Sequence, residues 1–181
     1  MTMKQYYEER RRRTRRLTLS AMLTALGVLI LYLGALVDVG SLAAAGLTSL
    51  LMLLAVRECR GAYPYFVFAA TAILAFFLLP QKEGALLYLL FGGFYPIMKF
   101  KIERMRRPFP FLTKLVYANL VITLAELATI CFFYLPPLAW GYYAALYLLA
   151  NPTFFLYDRL LDRILVLYEA KWRPRMASLL P

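Results

Sequence analysis

The chain has 181 residues, 62% of them hydrophobic and only 17% charged, with a formal net charge of +11. A soluble domain is about 45–50% apolar, so this composition excludes an ordinary water-soluble globule. It also makes a lipid surface, rather than nucleic acid, the expected destination of the basic residues. Histidine is absent, which removes the commonest general base and the commonest metal ligand. With no P-loop, dinucleotide fingerprint or CxxC pair, the sequence predicts no enzymatic activity, no metal site and no cofactor.

Residues 1–16 form a basic N-terminal segment dominated by Arg10, Arg11, Arg12, Arg13, Arg15 and Arg16. The apolar run that follows is too long for the h-region of a signal peptide and reads as an uncleaved first span. Crossing the hydrocarbon core takes about 20 helical residues. Segments near that length are predicted at 17–37, 41–56, 62–79, 84–98, 111–134 and 138–157. The second and fourth are short and are expected to run past these limits. The fold class is therefore an all-α membrane bundle of six spans occupying 17–157.

Residues 158–181 form a C-terminal segment. At about 100° per residue, Leu160, Leu161, Ile164, Leu165, Leu167 and Tyr168 gather on one side and Asp158, Asp162, Glu169, Arg159 and Arg163 on the other. The segment is thus an amphipathic helix, either continuing span six or lying at the membrane surface. With the N-terminus inside, Lys82 is the only basic residue left outside. The positive-inside rule then sets both termini in the cytoplasm, where the basic flanks meet anionic lipid. The external connections, 38–40, 80–83 and 135–137, are short.

Four groups of residues invite a functional reading. Glu126 falls in the middle of span five, where an acid costs about 2.5–3.5 kcal/mol on insertion scales. Asn119 and Thr123 share its helix face, and Thr129 flanks it. This stripe suits a substrate cavity or an interhelical network equally. Asn151, followed by Pro152, is positioned to reach the same region. Outside, Lys82 and Glu83, with Gln81 and Asp38, are candidates for the mouth of a pocket. Tyr88, with Tyr134, Trp140, Tyr142 and Tyr143, lies in the outer half, as an aromatic belt or a pocket wall. The Gly92-Gly93-Phe94-Tyr95-Pro96 break permits an interrupted helix. Finally, Ser20, Ala21, Thr24 and Ala25 make a small-residue strip at the cytoplasmic end of span one, suited to close helix approach. Cys59 and Cys131 are predicted at different depths, so no disulfide is expected.

The run Leu17-Thr18-Leu19-Ser20-Ala21-Met22-Leu23-Thr24-Ala25-Leu26, the six spans and the basic amphipathic end together resemble the S components of energy-coupling factor (ECF) transporters. These are substrate-binding subunits of bacterial vitamin uptake systems. The resemblance implies that Ala21 and Ala25 pack against a membrane coupling subunit that works with an ATPase pair. It also implies an outward-opening pocket for a small molecule, within range of Glu126, Asn119, Lys82 and Asn151, in a protein of the bacterial cytoplasmic membrane with no ATPase of its own. The first external loop is shorter than the ligand-covering loop of that family. A small scaffold or assembly factor of the cell envelope sharing the fold would show the same gross features.

Overall fold

The computed structural model describes residues 3–37, 40–59, 61–104, 110–133 and 140–176. These are helical throughout apart from short turns. The elements are α1 (Met3–Ala35), α2 (Gly40–Glu58), α3 (Tyr63–Leu78), α4 (Lys82–Leu87), α5 (Phe94–Arg104), α6 (Pro110–Phe133), α7 (Trp140–Leu167) and α8 (Arg173–Met176). A π-helical turn, Tyr88–Gly92, joins α4 to α5, and a second, Tyr168–Trp172, joins α7 to α8. Asp38 and the connection 135–137 lie outside the described residues.

Four helical stretches are long and apolar enough to cross a membrane: Gln5–Ala35, Gly40–Glu58, Lys82–Arg104 and Phe111–Ala128. Tyr63–Leu78 is apolar but shorter. The second and fourth predicted spans do extend beyond their sequence limits. Helix α1 runs through the basic N-terminal segment without a break. Arginine is a good helix former, and Glu8 and Glu9 stand at helical spacing from Arg12 and Arg13. The Arg10 guanidinium also lies 5.2 Å from the centre of the Tyr6 ring. The C-terminal amphipathic segment likewise begins inside α7 rather than as a separate helix.

The chain divides into two compact units, Met1–Ile97 with Leu167–Pro181, and Met98–Val166. In the first unit, α1, α2 and α3 pack around a core containing Leu31, Ala44, Ala75 and Tyr88. Van der Waals packing drives helix association where lipid offers no hydrophobic contrast, so small residues line the closest approaches. Gly27 faces the methyl groups of Thr48 and Thr71. Gly92 lies directly against the backbone of Ala45, and Gly93 against the Phe68 and Tyr88 rings. The Gly92-Gly93 break is therefore a packing feature: the π turn brings two glycines to neighbours that leave no room for a β-carbon. Gly61, at φ +81°, makes the turn into α3, a conformation that costs glycine nothing.

One end of this unit is stitched by polar groups. The Ser20 hydroxyl donates to the Cys59 thiol at 3.6 Å, and that thiol lies 4.0 Å from the Arg16 carbonyl oxygen. Arg57 pairs with Glu169 at 2.5 Å, and Arg173 Nε lies 3.1 Å from Glu58 Oε1. Tyr168 is buried among these groups, and burial, aided by the Glu58 carboxylate, pushes its phenol up to about 12. The beginning of α1, the end of α2 and the C-terminal segment thus share one end of the unit.

In the second unit α6 and α7 run antiparallel. Phe111 stacks on Phe155 with ring centres 4.7 Å apart. The apolar outer face of α6, with Val116, Leu120 and Leu127, is exposed.

Candidate functional site

Two polar layers lie between α6 and α7. The first is an amide and hydroxyl ladder. Asn119 and Asn151 donate to each other's side-chain oxygens at 3.1 and 3.2 Å. Each amide also donates along its own helix, Asn119 to the Leu115 carbonyl at 2.9 Å and Asn151 to the Tyr147 carbonyl at 2.8 Å. One turn on, Thr123 Oγ1 lies 2.8 Å from the Tyr147 hydroxyl and donates to the Asn119 carbonyl at 2.7 Å. Pro152, inside α7, has no N–H and leaves a carbonyl one turn earlier without its helical bond. The Asn151 amide, bonded to the neighbouring Tyr147 carbonyl, adds a donor where the backbone ladder is weakest.

The second layer is charged. Lys99, at the end of the long α4–α5 rod, is 1% exposed. Its ammonium donates to Asp158 Oδ1, and it lies 2.8 Å from Asp162 Oδ1 and 3.0 Å from Glu103 Oε1. Lys114 Nζ lies 2.9 Å from Glu103 Oε1 and 2.8 Å from Asp158 Oδ2. Glu103, Asp158 and Asp162 bring oxygens within 4.8 Å of one another, close enough for a metal ion. Here the Lys99 ammonium occupies the middle of that cradle, so the donor set fits an amine cation. The spacing Lys99–Glu103 and Asp158–Asp162, each one turn, was the available sequence signal. It showed which charges share a helix face, but not that Lys99 is buried or that Lys114 reaches across to Asp158.

The predicted site residues divide between the units. Asn119 and Asn151 come together, and Thr123 joins them through Tyr147, whose part in the ladder the sequence did not reveal. Glu126 continues the same face of α6, half-buried and with no hydrogen bond or ion pair among the described residues. Lys82, Glu83 and Tyr88 belong to the first unit. The Lys82 ammonium donates to the carbonyls of Phe76 at 2.7 Å and Leu79 at 2.9 Å, and lies 5.4 Å from the Phe76 ring centre. It caps the C-terminus of α3, where unpaired carbonyls attract a cation. Tyr88 is 1% exposed and packs on Phe68, as a core residue of this unit. Glu83 is exposed. In the helix-one strip, Ala21 and Ala25 are exposed, Thr24 is half-buried, and Ser20 turns inward to Cys59.

Both cysteines are free, Cys59 buried and Cys131 exposed. Burial pushes the Cys59 thiol up, partly offset by the Ser20 hydroxyl and Arg16. Only the thiolate is alkylated. In a Cys131→Ser background, iodoacetamide should therefore modify Cys59 at least about tenfold more slowly than free glutathione at pH 7.5, with the rate rising as the pH rises. Equal rates would show that Cys59 is neither buried nor raised.

No family model matches the chain, and no curated protein or solved structure is significantly similar to it. Fold and site therefore define it only as a helical protein with four helical stretches long and apolar enough to cross a membrane and a polar ladder between α6 and α7.

Proposed function

We propose that the protein is a six-span membrane subunit that captures a small molecule from outside, working in a larger uptake assembly of the ECF type in a bacterial cytoplasmic membrane. The observation that carries this reading is the ladder of Asn119, Asn151, Thr123 and Tyr147, which leads along otherwise apolar helices to Glu126, without a polar partner among the described residues. Polar and ionisable groups within membrane helices are costly and mark substrate paths. The protein binds and does not hydrolyse; a coupling membrane subunit and an ATPase pair supply the energy.

Two further observations support the arrangement. Arg16, Arg57 and Arg173 share one end of the first unit, as both basic flanks should if the helices cross an even number of times with both termini cytoplasmic. Arg10 to Arg13 are exposed there and available to anionic lipid. Ala21 and Ala25 are exposed on α1 and offer a smooth surface to a helix of the coupling subunit.

The test is to purify the protein in detergent with candidate coupling and ATPase subunits and to identify bound small molecules by mass spectrometry. A stoichiometric small molecule is the expected result. Absence of any ligand, with stable association to cell-envelope proteins instead, would replace this reading with a scaffold. Ala21→Leu with Ala25→Leu should abolish co-purification of the coupling subunit, because a leucine at each position holds the helices apart. Ligand binding should persist. Loss of both together would mean that the strip belongs to internal packing.

A further inference from the structure

Glu126 is a carboxylate without a counter-ion on its own helix pair. From 115 to 158 the sequence contains no lysine or arginine. Lys114 and Lys99 are committed to Asp158, Glu103 and Asp162.

Successive cross-contacts fix the register of α6 against α7. Lys114 meets Asp158, Asn119 meets Asn151 and Thr123 meets Tyr147. From Asn119 to Thr123, four residues forward on α6, the partner on α7 falls back four, from Asn151 to Tyr147. Continued by one turn, the register sets Glu126 opposite Ala144. The preceding turns are filled by an Asn–Asn pair and a Thr–Tyr pair, whereas only a methyl group stands opposite Glu126 in this register. Ala144 is exposed and Glu126 half-buried, so this turn is open to what surrounds it. Tyr147 stands one turn away on α7, and Tyr143 and Trp140 lie one and four residues before Ala144.

From this geometry we infer that the turn at Glu126 and Ala144 binds a small organic cation, an amine or quaternary ammonium carried on a flat body. The inference rests on the capture reading and names its ligand class. The cation supplies the charge that the helix pair lacks. The carboxylate forms the ion pair, and the faces of Tyr143 and Trp140 offer cation–π contacts to the remainder. A neutral or anionic ligand of the same shape would leave the carboxylate uncompensated and is selected against.

The probe is benzylammonium, compared with benzyl alcohol and benzoate, read by Trp140 fluorescence in detergent in a Trp172→Phe background. Benzylammonium should give a saturable change, weakened at least about tenfold by Glu126→Gln, as expected for loss of a charge-assisted hydrogen bond. Glu126→Asp should retain part of the affinity. Ala144→Leu, which adds bulk opposite Glu126 without touching the charge, should also abolish binding, with elution profile and circular dichroism unchanged in each variant. No saturable response to benzylammonium, an equal response to benzyl alcohol, or an unaltered affinity in Glu126→Gln would each overturn the inference. A neutral or anionic molecule bound stoichiometrically after purification would keep capture and overturn the cation class. Glu126-dependent benzylammonium binding without any coupling partner would keep the site and overturn uptake.

Discussion

Replacing Gly92 with leucine should lower the stability of the protein by about 3 kcal/mol or more, at or beyond the upper end of overpacking costs. A β-carbon at this position would sit 2.5 Å from the Ala45 carbonyl oxygen and 3.2 Å from its carbonyl carbon. These are backbone atoms within α2 and cannot rotate aside, so the π turn and α2 must separate. Separation would expose the neighbouring contacts of Gly93 with Phe68 and Tyr88. Gly46 provides the control. It lies in the same helix as Ala45, but a β-carbon there meets nothing within 4 Å. Gly46→Leu should be neutral, or stabilising by about 0.5–1 kcal/mol through helix propensity. Thermal unfolding in detergent, followed by size-exclusion chromatography, separates the two. Equal melting temperatures for both variants would show that α2 and the π turn do not meet at Gly92.

Lys99→Met should be the most damaging single change in the second unit. It removes the ammonium shared by Asp158, Asp162 and Glu103, while Lys114 still reaches Glu103 and Asp158. Breaking a buried ion pair by deleting one partner costs about 3–5 kcal/mol. Salt should not rescue the variant, because buried charges are weakly screened. A second change that neutralises the carboxylate, Asp158→Asn, should recover part of the loss, and the double-mutant cycle should give a coupling of about 1–3 kcal/mol. Arg57→Met is the comparison. Its pair with Glu169 leaves the two side chains 32% and 38% exposed, and such pairs contribute no more than about 1 kcal/mol. If Lys99→Met and Arg57→Met unfold alike, the cluster is not buried as described.

The same residues show why part of this protein could be read in advance. The sequence determined the helices, because a backbone in hydrocarbon must satisfy its own hydrogen bonds and apolar length alone then marks each candidate span. Charge counting predicts which loops group together, since lysine and arginine resist translocation. The stripe of Asn119 and Thr123 was visible because positions one turn apart share a face.

Only the tertiary structure decided what those faces meet. Asn119 could be assigned to the ladder once α7 was known to bring Asn151 opposite it. Lys82 is the lone outer lysine by sequence, yet it caps α3, because the turn at Leu79 brings free carbonyls within its reach. Gly92 and Gly93 mark an interrupted helix in either description, but the approach of Ala45 makes them a packing contact. Lys99 counts as one more cytoplasmic charge along the chain and becomes the buried centre of a carboxylate cluster in space. The division has one physical cause. Helix formation and membrane insertion depend on local properties, which a sequence states outright, whereas the partner of a polar side chain depends on helix register, which residues 30 to 60 positions apart set jointly as in Asn119–Asn151 and Lys99–Asp158.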